Sequence, residues 1–172
     1  MSSELHIRPE EPADREAVRA VNEAAFDTAE EADLVDALRA SGDAVSELCL
    51  VAEVDREVAG HICFSRGRVD QSDVGILALA PMAVVPDRQR QGIGSALVQG
   101  ALERAERTEF PLVVVLGHPD FYPRFGFDPA SAYGIVCPYE GIAPEAWMAY
   151  TLPSYEPGTR GTVVYAEAFG AP

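Results

Sequence analysis

Lysine is missing from this chain: all 13 basic residues are arginine, set against 28 carboxylates for a formal net charge of −15. Without an ε-amino group there is no Schiff base to an aldehyde cofactor and no phosphate-loop lysine. Pyridoxal-phosphate chemistry and Walker-type nucleotide hydrolysis are therefore excluded. The shortage of positive charge also argues against nonspecific binding to nucleic acid or to an anionic membrane, partners that need a basic surface. Cysteine is scarce and odd in number. Cys49, Cys63 and Cys137 lie in apolar, strand-like runs without metal-ligand spacing, the pattern of reduced structural thiols. His6, His61 and His118 stand far apart and match no zinc spacing, so no metal is expected. No apolar run is long enough for a bilayer and no charged-then-apolar leader is seen, which makes the cytoplasm the expected compartment.

What remains is ample for one buried core, since the 172 residues are 48% apolar and no linker, repeat or low-complexity tract divides them. A single domain over residues 1–172 is expected. Glu4 to Arg8 reads as a first strand. Pro12 then opens a helix whose Ala17, Val21 and Ala25 share a face. In a second helix Leu34, Val35 and Leu38 form the apolar stripe and Gly42 the stop. From Glu47 the period changes to that of strands. Leu48 to Val54 and Val58 to Ser65 are joined at Asp55-Arg56 by a turn of unassigned type, and Val74 to Val85 follows. Pro81 has no N–H for a ladder, so the pairing should loosen near it. The strongest helix signal comes next, with Ile93, Leu97, Val98, Ala101, Leu102 and Ala105 on one stripe. Leu112 to Leu116 is continuous and β-branched, as a central strand buried on both faces would be. Beyond Gly126 prolines interrupt the chain, with short strands expected at Ile135 to Cys137, Trp147 to Leu152 and Thr162 to Tyr165.

Between the third long strand and the strong helix lies the run Met82-Ala83-Val84-Val85-Pro86-Asp87-Arg88-Gln89-Arg90-Gln91-Gly92-Ile93-Gly94-Ser95. Two glycines without a Cβ let a ligand approach the backbone, and the first amides of a helix have no intrahelical acceptor. A helix start also carries about half a positive charge, so an anion held there gains hydrogen bonds and dipole attraction together. Arg88, Arg90, Arg104 and Arg107 fall in this bend and its helix, either as local cations for such an anion or as an ordinary solvated face.

Gln89-Arg90-Gln91-Gly92-Ile93-Gly94 is similar to the Q/R-x-x-G-x-G/A signature of the GNAT superfamily of N-acetyltransferases, and Phe121-Tyr122-Pro123-Arg124-Phe125-Gly126-Phe127 resembles that family's F-Y-x-x-x-G-F segment. The strand before the first motif and the hairpin Gly60-His61-Ile62-Cys63-Phe64 fit in family order. The resemblance implies a single-domain GNAT fold of mixed α/β class. Its central sheet would be mixed but mostly antiparallel, flanked by helices and splayed between the fourth and fifth strands. It implies acetyl-CoA as co-substrate, its pantetheine arm along Met82, Ala83 and Val84 and its pyrophosphate at Gln89, Arg90, Gln91, Gly92, Ile93, Gly94 and Ser95. The acetyl group would pass to an amine of a small molecule or protein by direct attack in a ternary complex, with a homodimer as an allowed assembly. The pattern resembles a bacterial subgroup of N-acetyltransferases. Two departures stand out: Gly117-His118-Pro119 replaces the asparagine that many members carry after the fifth strand, and Pro123 should shorten the segment that presents Tyr122.

The chemistry needs a neutral amine, stabilisation of a developing oxyanion and a proton for the departing thiolate. A backbone N–H near Val84 could supply the second and Tyr122 the third, as general acid. The base stays open. His118, at the end of a strand near the expected site, is of a residue type that can take up a proton but also reads as a plain loop histidine, and Asp27, Glu30, Glu31 and Asp33 could attract a cationic amine or simply be solvated. Cys63 reads as packing, not as an acyl carrier. Two other classes remain: a binding module that keeps the acyl-CoA cleft without catalysis, and a dinucleotide site. The dinucleotide reading lacks the third glycine of G-x-G-x-x-G and the opening βαβ unit.

Overall fold

A strand at Leu5–Pro9 (β1) opens the computed structural model, which describes residues 4–72 and 74–170. The chain forms two compact units, one of residues Met1–Phe64 and Ala80–Arg104, the other of Ser65–Leu79 and Ala105–Pro172. The strands β3 (Glu57–Val69) and β4 (Val74–Val84) each contribute a segment to both. Among the described residues no helix is long and apolar enough to cross a membrane.

In the first unit β1 runs antiparallel to β2 (Leu50–Val54), from Leu5 opposite Val54 to Pro9 opposite Leu50. Asp55 and Arg56 carry φ of 51° and 69°, so the β2–β3 hairpin closes on the mirror-image turn whose twist matches its strands. The chain enters α1 (Arg15–Phe26) through a turn at Pro12–Asp14 with a reciprocal capping box between Glu11 and Asp14. Arg8 grips Asp14 with two hydrogen bonds of 2.7 and 2.9 Å and reaches Glu53 at 3.1 Å, tying β1, β2 and the helix entry together. The Arg8 bonds hold the Asp14 carboxyl below the usual carboxylate range. The buried face of α1 is Val18, Val21 and Asn22, with Ala17 and Ala25 only half-buried. The buried face is thus rotated from the expected Ala17, Val21 and Ala25, because it includes an asparagine whose Nδ2 donates locally to Val18 C=O at 3.0 Å. In α2 (Glu30–Ser41) the buried residues are Ala32, Val35 and Leu38, Leu34 being half-buried, and Gly42 ends the helix at φ 81° as expected.

The helix α3 (Ile93–Ala105) follows the sequence pattern closely: Ile93, Leu97, Val98, Ala101, Leu102 and Ala105 are all buried. Gly60 on β3 lets it lie close to the sheet. A Cβ there would stand 3.0 Å from Leu97 Cδ1 and 3.1 Å from Ile93 Cγ2.

In the second unit β5 (Leu112–Leu116) pairs parallel with β4 and antiparallel with β8 (Trp147–Thr151). A parallel neighbour requires a crossover connection, and α3 is that connection in the chain. Pairing of β4 with β5 is confined to Leu77 opposite Val113 and Ala78 opposite Val114, while β4 runs on past Pro81 to Val84. Short strands β6 (Asp128–Pro129), β7 (Ile135–Val136) and β9 (Gly161–Val164) complete the unit, and β9 pairs with β3 at Arg68 and Val69. The core here gathers Val69, Ile76, Leu112, Val114, Ile135, Trp147 and Val163, and Trp147 Nε1 donates to Ile135 C=O at 3.0 Å. Leu116 is 40% exposed, so β5 is buried on both faces only as far as Val115. The hydrogen-bonded order β1-β2-β3-β4-β5-β8-β6 makes the mixed, mostly antiparallel sheet that the resemblance implied.

Candidate active site

The end of β4 belongs to the first unit. Val85 N–H donates to Ala59 C=O at 2.9 Å. Strand alternation then turns the amide and carbonyl of Val84 to the edge of β4 away from β3. The Val84 carbonyl accepts from Gln89 Nε2 at 3.0 Å. Met82 and Val84 are half-buried and Ala83 is buried.

From Pro86 the backbone makes a short 3-10 turn, with Arg88 N–H on Val85 C=O at 3.0 Å, and Gln91 Nε2 reaches back to Asp87 C=O at 3.3 Å. Both glutamine side chains therefore brace the bend from within. Arg90 and Gly92 take left-handed φ of 64° and 85°. Ala96 is the first residue to donate to a carbonyl four back, that of Gly92 at 3.0 Å, which leaves the amides of Ile93, Gly94 and Ser95 without helical acceptors. An added Cβ at Gly92 would meet nothing within 4 Å, so glycine serves here for its backbone angle. Ile93 is only 4% exposed, so its side chain belongs to the core and only its amide is presented at the bend. The α3 first turn carries no acid. Arg88 and Arg90 flank this end, whereas Arg104 bonds Gly100 C=O at 3.1 Å, about 15 Å further along the helix. Arg104 and Arg107 are thus placed away from the bend.

Tyr122 lies in the second unit. Its segment is short, a 3-10 turn at Tyr122–Phe125 with Pro123 in the first turn and Gly126 at φ 105° as the stop. Tyr122 is 7% exposed, and its ring packs edge-on against Phe121 and Phe127, with centroids 5.0 and 5.5 Å away. Its hydroxyl oxygen is not among the fully buried orphans of the described residues. Burial pushes the phenol up to about 12, so it stays protonated throughout the neutral range.

Other candidates are placed differently. His118 is exposed beyond the end of β5, and its carbonyl accepts the Phe121 and Tyr122 amides at 3.1 and 3.4 Å. Cys63 is 1% exposed, with its sulfur 3.2 Å from that of Cys49. That contact and burial raise the Cys63 thiol well above its ordinary value. Asp33 pairs with Arg19 at 2.8 Å and Glu31 accepts from the Thr28 hydroxyl at 3.1 Å, both on the surface. Two features escaped the sequence reading. One is a buried polar cluster of Asn22 and His61 beside the Glu10–Arg39 ion pair. The other is the approach of the Tyr122 ring to Gly117, where a Cβ would stand 3.0 Å from Tyr122 Cδ2; in sequence Gly117 stands out only as part of the Gly117-His118-Pro119 departure.

Residues 45–129 match the family model described as an acetyltransferase (GNAT) domain. The chain is 36% identical over 149 residues to the uncharacterized N-acetyltransferase YjhQ of Escherichia coli strain K12, covering 81% of this chain and 80% of that protein. Among solved structures it is similar to the GNAT-family N-acetyltransferase YhbS of Escherichia coli in complex with CoA. There the TM-score is 0.89 at 31% identity, over 98% of this chain and 93% of that one. It is also similar to a GNAT-family acetyltransferase of Brucella melitensis in complex with acetyl-CoA, with a TM-score of 0.79 at 33% identity, over 96% and 98% of the two chains. The fold, with its glycine bend opening a crossover helix, is that of an acyl-group transferase. The chain belongs to the GNAT family of N-acetyltransferases, and the dinucleotide-site reading falls with that.

Proposed function

We propose that this chain, acting as one domain over its whole length, moves an acetyl group from acetyl-CoA to an amine acceptor by direct attack. The observation that carries the reading is the bend at Arg90 and Gly92, whose left-handed angles lead into a helix start with three amides without helical acceptors. The structures of two similar proteins with CoA and acetyl-CoA support the choice of ligand. In this reading the amides of Gln91, Gly92, Ile93, Gly94 and Ser95 take the pyrophosphate. Gln89 and Gln91 hold the bend in shape, and Arg90 adds charge. Met82, Ala83 and Val84 present the strand edge to the pantetheine arm, where the Val84 N–H stabilises the oxyanion, a contribution of about 10²–10³ in rate for one donor. Tyr122 gives its proton to the departing thiolate, worth about 10²–10⁴. Burial and the Cys49 contact of Cys63 support direct transfer over a covalent acyl-enzyme.

Thermal unfolding with ligand present tests the site: acetyl-CoA at a hundred times its dissociation constant adds about 2.7 kcal/mol of stability. NAD at the same concentration should add nothing. Release of free thiol across a panel of amines tests the reaction. Binding without turnover on any amine would favour an acyl-CoA-binding module, and replacing Tyr122 with Phe should cut kcat while leaving coenzyme affinity near its original value.

A further inference from the structure

We propose that Gly117 is a positioning residue for Tyr122: its missing side chain makes the seat in which the phenol ring lies, and so sets where the hydroxyl points. This rests on the reading of Tyr122 as proton donor. A Cβ at position 117 would stand 2.4 Å from Tyr122 Cε2, 3.0 Å from Cδ2 and 3.4 Å from Cζ, where carbons in contact need about 3.5–4.0 Å. Gly117 holds no left-handed angle, so its φ does not by itself call for glycine. Only the volume of a side chain is excluded, and the atoms that exclude it belong to Tyr122.

Neither partner can step aside cheaply. The Gly117 N–H donates to Ala146 C=O at 3.0 Å, directly after the pair Leu116 and Trp147 that ends the β5–β8 ladder. On the other side the ring meets Phe127, itself 2% exposed and packed against Tyr150 at 5.5 Å between centroids. Phe121 stands across it at 85°. The turn that links the two residues is tied down by the His118 carbonyl, which accepts from the Phe121 and Tyr122 amides. A methyl group at position 117 therefore displaces the ring, and the hydroxyl with it. An asparagine there would carry the same Cβ into the same ring. The glycine and this tyrosine placement are steric counterparts.

The test compares wild type, Gly117→Ala, Tyr122→Phe and the double variant by steady-state kinetics and by ultraviolet titration of the phenols. Gly117→Ala should lower kcat by about tenfold or more with the KM for acetyl-CoA within about twofold, the signature of an interaction made in the transition state. The phenol that Tyr122→Phe removes from the titration should move down from about 12 towards the ordinary tyrosine value as the ring leaves its seat. In the Tyr122→Phe background the alanine should cost nothing further, because the group it displaces no longer acts. An equal loss in both backgrounds would mean that Gly117 serves packing alone, and the proposal fails. Full turnover by Tyr122→Phe would instead remove the proton-donor reading, while the titration still reports whether Gly117 seats the ring. If Gly117→Ala does not fold, adding Phe127→Leu makes room beside the ring. Recovery of the fold without recovery of kcat is then expected, and full kcat would overturn the proposal.

Discussion

His61 carries no charge in this fold. It sits on β3 with no exposed surface, Nδ1 lies 3.3 Å from Asn22 Nδ2, and Nε2 faces Glu10 Oε2 at 3.8 Å. Burial, helped by the Arg39 guanidinium, lowers it from 6.5 to about 3. A depressed folded-state pKa means that the unfolded chain takes up a proton which the native chain refuses. The associated stability is complete above pH 6.5 and is lost as pH falls towards 3, at up to about 1.4 kcal/mol per pH unit. His61→Gln should therefore flatten the acid side of the stability curve, measured by urea unfolding across that range. An unchanged slope would assign the acid sensitivity to other groups. Gly92 offers a second prediction at this scale. Its φ of 85° strains any L-residue although nothing would touch the new Cβ. Gly92→Ala should thus cost about 1 kcal/mol of stability, yet weaken acetyl-CoA binding by about tenfold in calorimetry as the amides turn away. A dissociation constant equal to that of wild type would show that these amides hold no ligand.

Among the elements, α3 was the most legible, since six apolar positions at helical spacing allow one solution and all six are buried. It is also the element that aims the candidate site. Leu97 is fully buried where Gly60 admits it, so Leu97→Ala should destabilise the protein by about 2–5 kcal/mol in denaturant titration. A loss under about 1 kcal/mol would mean that the helix rests on other contacts. The α1 face was harder to phase. Its sequence offers alanines on several sides, and the residue that completes the buried face is Asn22, which polarity alone assigns to solvent. The strand β6 is Asp128-Pro129, two residues whose types disfavour strands and which pair only because β8 passes beside them. The turn at Tyr122 was legible at its two ends, with proline in a first turn, where its missing N–H costs no bond, and glycine at the left-handed stop. Its partner across the ring was not.

For the whole molecule the dominant number is the net charge of −15. Exposed clusters such as Arg19 with Glu23, Asp33 and Asp36 pair a few of the carboxylates, and such surface pairs are worth about 0–1 kcal/mol each. Self-repulsion among the remaining carboxylates outweighs them, so Tm should rise when ionic strength is taken from about 0.01 M to about 0.15 M, where the screening length shrinks from about 30 to about 8 Å. A falling Tm would show that the arginine pairs prevail over the repulsion. The same composition explains where function was legible. Absent lysine and a glycine bend before an apolar helix are facts of covalent chemistry and of period. They excluded whole reaction classes and pointed to an anion grip before any contact was known. By itself, then, the sequence determined the helix that carries the bend, the order of the motifs and the family they indicate, because these depend on residues near one another in the chain. Only the tertiary structure decided that Asn22 meets a neutral His61, that two glutamines brace the bend, and that Gly117 clears space for Tyr122. The Asn22–His61 contact joins side chains 39 positions apart, and the other two, though their partners lie only four or five residues away in the chain, depend on the backbone angles of irregular turns that residue types leave open.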